Sequence, residues 1–395
     1  FIVFTGMFLA AYMVVKMLPA NVGFADALEV GGKMGKLNVI TTGINEKGFN
    51  WSDQYNLLSG IIGGFFLALS YFGTDQSQVG RYLTARSLKE SRMGLLMNGI
   101  VKVPMQFLIL LIGVLVFTFY QFNSAPIFFN DVQLKKLENS VYKDSLKIVQ
   151  TQYDAVGVIK QKAVADYTMA RHAKDEVKAT ASLASLQSLQ KESDSLRKKV
   201  VTWLNKKIPG GDGNDTNYIF LRFVVDHLPV GLVGLLIAII FLASWGSIAA
   251  AINSLASCSM VDFHRRFTKN KDTGEDEYRL SKWYTLGWGI FCIIVAMFTY
   301  NIGNSLIEAV NILGSLFYGV ILGVFLVAFF FKKITNSTAV FWGAILAQVM
   351  VLFVFILTKV GVFKMGFLWL NPIGAFGVIG FTLFLDKIVS AKKNT

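Results

Sequence analysis

One apolar stretch, from Gly231 to Asp262, does most to limit what this chain can fold into. It is longer than the ~20 residues that a helix needs to cross ~30 Å of hydrocarbon, so it predicts a membrane-spanning helix. Several polar residues recur along it, some of them three or four apart: Ser244, Ser247, Asn253, Ser254 and Ser257. Because unsatisfied polar groups are costly in lipid, we expect this stripe to face the protein interior or a hydrated cavity. Close packing of small residues against another helix explains the same composition equally well.

Apolar segments of similar length recur through the chain. Hydrophobic residues make up 54% of it, more than the ~45–50% typical of soluble proteins. Hydrophobicity windows of ~19 residues predict eight helices, at 1–18, 57–74, 96–122, 230–257, 284–300, 306–331, 339–358 and 367–388. The first is a partial span, since the sequence starts without Met inside an apolar run, and we expect further residues upstream. The chain is therefore predicted to be an all-α, multi-pass protein of the cell membrane, with the lipid bilayer as its solvent.

The basic residues predict how these helices are oriented. Fifteen Lys and Arg lie in the loops 80–95, 262–283 and 332–336 and in the tail from Lys387, against six in the opposite short loops. The positive-inside rule places the first set in the cytoplasm. The Lys and Arg residues behind the net charge of +13 lie in loops between apolar spans, where orientation in a membrane explains them. Nucleic acid is therefore not expected as a partner.

The composition also argues against several kinds of chemistry. Cys258 and Cys292 both lie inside apolar segments, so a disulfide is not expected. The three histidines are scattered along the chain without metal-ligand spacing. Since nucleophile, base and metal ligands do not cluster in the sequence, we predict neither an enzyme nor a bound cofactor.

A long polar segment, 123–229, separates two groups of apolar helices, and the same alternation of loops places it outside the cytoplasm. Between Asp131 and Lys207 it has no Pro and one Gly, and its composition favours helix. Apolar residues recur there at spacings of three and four, at Leu134, Leu137 and Val141 and at Leu183, Leu186, Leu189, Leu196, Val200 and Trp203. This predicts an antiparallel helical hairpin that stands off the membrane and ends at the Pro209 to Gly213 breaker. Such an insert can bind a partner in the cell envelope, but an insertion without a role in transport is the simpler interpretation.

Two segments resemble conserved parts of the sodium:solute symporter family. The segment Gly246 to Phe263 resembles the eighth core helix of that family, with Gly246-Ser247, Asn253-Ser254 and Asp262 at its characteristic positions. The segment Ser70 to Gly94 is similar to the sixth helix and the basic loop after it. There Asp75-Gln76 matches the polar pair, while Gly80 departs from the pattern by replacing a Gln.

The resemblance implies a fold and a division of the chain. The fold is the five-plus-five inverted-repeat, leucine-transporter-type architecture, with substrate and ions bound near mid-membrane. Residues 1–122 would hold the end of core helix 5 and helices 6 and 7, residues 123–229 the insert, and residues 230–395 core helices 8 to 10 plus two more. The first four core helices would then precede residue 1.

The resemblance also implies binding residues. Half of a sodium site would be formed by the Ala243 carbonyl, Gly246 and Ser247, although Gly246 has no side-chain oxygen to give. Ala249 and Ala250 occupy the places of hydroxyls that hold a second ion in some members, so that ion is predicted to be absent. The positions that line the substrate pocket in relatives are Tyr71, Asp75, Gln76 and Ala68. In the tenth helix, Gly314 and Gly319 would allow bending, while Gly319 and Gly323 are also spaced for close helix contact.

The predicted function is sodium-coupled secondary active symport of a small organic solute by alternating access. Sodium would be a co-transported ligand, and no cofactor is expected. Two alternatives remain from the sequence: a transporter-like sensor module and a sodium-independent solute carrier.

Overall fold

A computed structural model describes residues 2–38, 40–46, 48–208, 210–268, 274–298, 306–334 and 336–393. Some parts of the sequence predictions lie outside the described residues, among them Phe1, Pro209, the loop residues 269–273, residues 299–300, residue 335 and residues 394–395. The α-helices, in chain order, are α1 Ile2–Lys16, α2 Phe24–Lys33, α3 Gly64–Thr74, α4 Gln76–Leu83, α5 Leu88–Phe122, α6 Asp131–Glu138, α7 Lys143–His172, α8 Glu176–Lys207, α9 Ile219–His227, α10 Val230–Cys258, α11 Arg265–Phe267, α12 Gly274–Phe298, α13 Leu306–Phe330, α14 Ser337–Val360 and α15 Leu370–Lys393.

Short elements of other kinds join these helices. Two π-helical turns, Ser59–Gly63 and Ser259–His264, lie at the start of α3 and the end of α10, and two 3₁₀ turns cover Thr216–Tyr218 and Phe367–Trp369. Strands β1 (Ile44–Asn45) and β2 (Gly48–Phe49) pair antiparallel, with Ile44 opposite Phe49.

The predicted apolar helices are confirmed. In the described part of the chain, six helices are long and apolar enough to cross a membrane: Leu88–Phe122, Val230–Phe267, Gly274–Phe298, Ile307–Phe330, Ser337–Val360 and Phe367–Ile388. Two shorter apolar helices, Val3–Lys16 and Ser59–Thr74, correspond to the other predicted spans. Helices α5 and α12 begin earlier than predicted, because their first turns are polar and a hydropathy window does not detect them.

The chain divides into two compact units, which are described separately. The first contains Phe1–Asn38, Met97–Ala249 and Ile290–Ser305, and the second contains Val39–Leu96, Ala250–Gly289 and Leu306–Thr395. In the first unit, α1 packs against the second half of α5, α9 and the start of α10 through fully or almost fully buried residues that include Val14, Leu115 and Phe223. Helix α2 lies against α5, where Thr118 Oγ1 donates to the Ala27 carbonyl at 3.0 Å.

The insert forms the predicted helical hairpin, from α7 and α8. Leu186, Leu196 and Val200 are buried as the spacing predicted, and Leu183, Leu189 and Trp203 pack partly buried beside the same cores. Val141 is instead 92% exposed, because α6 ends at Glu138 and the following turn breaks the periodicity.

The hairpin does not stand alone, because it packs on α2 near its tip. Val30 of α2 is buried in one cluster with Val164, Tyr167 and Leu186. After α8 the chain turns at Gly210, whose φ is +62°, and at Gly211. A Cβ on Gly211 would lie 2.3 Å from the Leu204 carbonyl oxygen, so the predicted break at this glycine run has a steric basis.

In the second unit, α3, α13, α14 and α15 form a bundle around Leu316, Val320, Val351 and Val378. Helices α13 and α15 approach closely at two glycines. A Cβ on Gly319 would lie 2.3 Å from the Asn371 carbonyl oxygen, and one on Gly323 would lie 2.7 Å from Val378. The close-contact interpretation of this glycine pair is therefore confirmed.

Candidate functional site

The candidate substrate region begins where the helix containing Tyr71 is interrupted. Helix α3 ends at Thr74, and Asp75 takes an extended conformation with ψ of 116° before α4 starts. The Oδ1 atom of Asp75 accepts hydrogen bonds from the Ser77 amide at 2.8 Å and from the Ser77 hydroxyl at 2.6 Å. A short acidic side chain is a favoured N-cap, so the sequence itself specifies this helix restart.

The other carboxylate oxygen of Asp75 is held by α13. The Tyr318 hydroxyl donates to Asp75 Oδ2 at 3.1 Å. One turn earlier on α3, the buried Ser70 hydroxyl donates to the Tyr318 backbone carbonyl at 2.8 Å. Two bonds of different kinds therefore tie the interrupted helix to one residue of α13.

An aromatic group adjoins this pair. The ring centroid of Tyr71 lies 6.5 Å from that of Tyr318 and 5.0 Å from that of Phe72. The structure thus brings together Tyr71 and Asp75, two of the residues that the family resemblance suggested for the substrate. Ala68 lies exposed on α3, and Gln76 is the exposed first residue of α4.

Tyr318 and Ser70 were given no role from the sequence. Both are polar groups inside apolar helices, and a buried hydroxyl in such a helix needs a hydrogen-bond partner. That signal was present, but it does not identify the partner, which lies 248 residues away in the bond between Ser70 and Tyr318.

The residues suggested for sodium lie together on α10. The Ser247 hydroxyl donates to the Ala243 carbonyl at 3.2 Å, so the two proposed oxygen ligands are neighbours on one helix face. Gly246 and Ser247 are exposed, and among the described residues no atom lies within 4 Å of where a Gly246 Cβ would be. A hard cation needs several oxygen ligands, so these two oxygens would have to be joined by others. The sodium assignment itself stays a prediction.

Two other serines of the polar stripe on α10 behave in the same way. Ser244 donates to the Ile240 carbonyl at 2.8 Å, and Ser254 donates to the Ala250 carbonyl at 2.9 Å. Hydroxyls that bond back to the preceding turn satisfy themselves without a neighbour. They can also turn toward another partner, since a hydroxyl carries acceptor lone pairs as well as a donor.

The cytoplasm-facing end predicted for α10 is tied to α12 of the same unit. Trp288 Nε1 donates to the Ser259 hydroxyl at 2.8 Å within the π-helical turn. Beyond it, Arg265 makes a two-pronged pair with Glu277, at 2.9 and 2.8 Å. The basic run after Asp262 is therefore fixed by a carboxylate.

Comparison with known proteins agrees with this architecture. Residues 196–347 match the model of the sodium:solute symporter family. The sodium/sialic acid symporter SiaT of Proteus mirabilis (strain HI4320) is 32% identical over 129 residues, which are 32% of this chain and 26% of that protein. The sodium/sialic acid symporter NanT of Aliivibrio fischeri (strain ATCC 700601 / ES114) is 28% identical over 177 residues, 45% of this chain and 35% of that protein.

A solved structure shows the shared fold. The substrate-bound outward-open state of a Na⁺-coupled sialic acid symporter superposes with a TM-score of 0.61 at 19% identity, covering 97% of this chain and 59% of that one. Its fold is of the leucine-transporter type. The chain thus matches about a third or less of the length of these two relatives, and 59% of the length of the solved chain. Residues 196–347 thus resemble the sodium:solute symporter family, and the chain shares the fold of the solved symporter.

Proposed function

We propose that this chain is part of a sodium-coupled secondary active symporter for a small organic solute. The observation that carries the proposal is the interruption of the α3–α4 helix at Asp75. Transporters of this fold bind their ligands where membrane helices break, because the freed backbone and side-chain groups can face a solute. Here the break is acidic, lies beside Tyr71 and is tied to Tyr318 of α13.

The proposed ion site supplies the coupling. Ser247 and the Ala243 carbonyl would bind sodium together with oxygens from other helices, with water or Ser244 filling the place that Gly246 leaves empty. Sodium and solute would each favour the same closed conformations, so that inward movement of the ion drives uptake of the solute. Among solutes, sialic acid is the first to test, because the relatives SiaT and NanT are named for it.

The test is uptake by the native protein in proteoliposomes. An imposed sodium gradient should accumulate radiolabelled sialic acid, or another solute from a screen of sugars, amino acids and carboxylates, and accumulation should collapse when potassium replaces sodium. Ser247→Ala should raise the sodium concentration for half-maximal uptake at least several-fold. Ser254→Ala removes another hydroxyl of the same helix; it serves as the matched control and should leave that concentration unchanged. Accumulation that ignores sodium would instead support a sodium-independent carrier.

A further inference from the structure

A cavity lies inside the first unit, between the middle of the hairpin and helices α5 and α9. Its volume is about 330 Å³, within the ~300–1,000 Å³ range of small-molecule sites. One side is apolar and comes from membrane-proximal helices, with Phe117 of α5 and Ile219 and Phe220 of α9. The other side comes from the hairpin and contains Lys160 and Arg197. An apolar pocket closed by two cations has the character of a ligand site.

Lys160 is the uncompensated charge of this cavity. The residue is only 5% exposed, and its one hydrogen-bond partner among the described residues is neutral, Gln190 Oε1 at 3.3 Å. Gln190 in turn donates to Asp194 at 2.9 Å at the exposed rim. Burial lowers the pKa of Lys160 to about 8, against the raising effect of Asp194. The ammonium group is thus still largely charged at neutral pH, and a buried charge without a direct counter-charge is costly.

Arg197, by contrast, is already neutralised. Its guanidinium binds both carboxylate oxygens of Asp215, at 2.8 and 3.0 Å, and lies 5.2 Å from the centre of the Phe129 ring. Asp215 also accepts the Phe129 amide at 2.8 Å. Because Asp215 already neutralises Arg197, an anion that enters the cavity would find its counter-charge at Lys160.

Two further wall residues carry unsatisfied polar atoms. The Tyr120 hydroxyl and Gln121 Oε1 are buried without a hydrogen-bond partner among the described residues, and both residues line the cavity. Buried polar atoms are normally paired, so unpaired ones call for an explanation such as a bound molecule. The wall therefore has one cation without a direct counter-charge and two polar atoms without a hydrogen-bond partner around an apolar interior.

We propose that this cavity binds a small organic anion consisting of one carboxylate and an apolar body. The carboxylate would pair with Lys160 Nζ, and the apolar body would contact Phe117, Ile219 and Phe220. Such a molecule can come from solution, as an aryl carboxylate, or from the membrane, as a fatty acid. The proposal concerns a site separate from Asp75 and Ser247, and it does not depend on the transport proposal.

The test is calorimetric titration of the native protein in phosphatidylcholine nanodiscs. The probes are 4-phenylbutyrate for the soluble source, decanoate for the membrane source, and 4-phenylbutanamide as the uncharged match. At least one carboxylate should bind, and the amide should bind at least tenfold more weakly than its carboxylate. Which carboxylate binds identifies the source; if neither binds, or if amide and carboxylate bind equally, the proposal is overturned.

Two pairs of variants locate the binding. Lys160→Met should weaken carboxylate affinity at least tenfold, while Lys162→Met, an exposed lysine on the same helix, should leave it unchanged. Gly113 lines the cavity and has no atom within 4 Å of an added Cβ among the described residues. Gly113→Leu should therefore fill the space and block binding without disturbing the charge, with Gly99→Leu on the same helix as its control. Unchanged affinity in Gly113→Leu would place the binding elsewhere.

Discussion

The two units hold their helices together by different means. In the first unit, the hairpin is attached to α2 by an apolar cluster flanked by polar pairs, in which Glu29 binds both Tyr167 and Arg171 and Asp26 contacts His172. In the second unit, α13 contacts α15 by backbone approach at Gly319 and Gly323.

The difference follows from the surroundings of each contact. Apolar burial drives association where water is the competitor. Between helices in lipid that drive is absent, so close packing of small residues takes its place. Exposed ion pairs contribute little in either case. The contact between the hairpin and α2 should therefore depend on its apolar residues. The contact between α13 and α15 should depend on glycine at positions 319 and 323, where a side chain would collide with the neighbouring helix.

The largest effect is expected from Leu186→Ala in the hairpin. Leu186 is 0% exposed in the cluster that contains Val30, and removing a fully buried leucine side chain costs about 2–5 kcal/mol. Hydrogen exchange should show faster opening of α2 and of the tip of the hairpin. Leu88→Ala, at an exposed leucine, is the control; equal protection in both variants would show that the polar pairs hold the hairpin.

The next effect concerns Lys160 and has a defined pH dependence. Because burial lowers its pKa from 10.5 to about 8 in the folded state, the unfolded state binds more protons between these two values. Stability contributed at this site should then rise with pH across that window, by on the order of 3 kcal/mol in total. The charged groups that act on Lys160 are Asp194 and Arg197.

The measurement is the free energy of unfolding of the native protein minus that of Lys160→Met, from pH 7.5 to 10. This difference cancels the other titrating groups to first order. A difference that stays flat would mean that Lys160 is as hydrated in the folded protein as in the unfolded chain.

A smaller loss is expected from Gly319→Ala in the second unit. The added methyl would meet the Asn371 carbonyl oxygen, and such overpacking costs about 1–3 kcal/mol. Gly380→Ala adds the same methyl to α15, where no described atom lies within 4 Å, and should be close to neutral. Thermal unfolding in detergent compares the two; equal melting temperatures would contradict the close approach.

The smallest effect on stability is expected from Glu29→Gln. Burial and the hydrogen bond to Glu29 raise the pKa of Tyr167 to about 12, so the substitution should move that pKa back toward 10. An ultraviolet titration with Tyr167→Phe as the reference measures the change. Exchange protection of α2 should fall much less than in Leu186→Ala, and a comparable fall would reverse the ranking of polar and apolar contacts.

The sequence predicted what depends on local composition. Membrane helices and the hairpin follow from runs of apolar residues and from their spacing, and both were confirmed. Contacts between distant segments were not predictable: Val30 with Leu186, and Asp75 with Tyr318, 243 residues apart. Periodicity specifies which face of a helix is apolar, but it does not specify the element that covers it.

In the candidate site, too, the sequence indicated individual residues but not their contacts with distant segments. The resemblance selected Tyr71 and Asp75, which the structure brings together with Tyr318. The proposed sodium ligands Ala243 and Ser247 are adjacent because they are one turn apart on α10, which any helix there would produce. The cavity beside Lys160 had no sequence signal, since a lysine in a polar helix is ordinarily solvated.

The hairpin is fixed at two points along its length. Its tip is joined to α2 through Val30, and the second half of α8 is joined to the chain before α9 through the pair of Arg197 and Asp215. Leu186, which packs in the cluster with Val30, and Arg197 lie on the same helix α8, and the segment between them is about 16 Å long at ~1.5 Å per residue. Because a helix of this kind is stiff, α2 cannot move relative to the start of α9 unless one of these two contacts breaks.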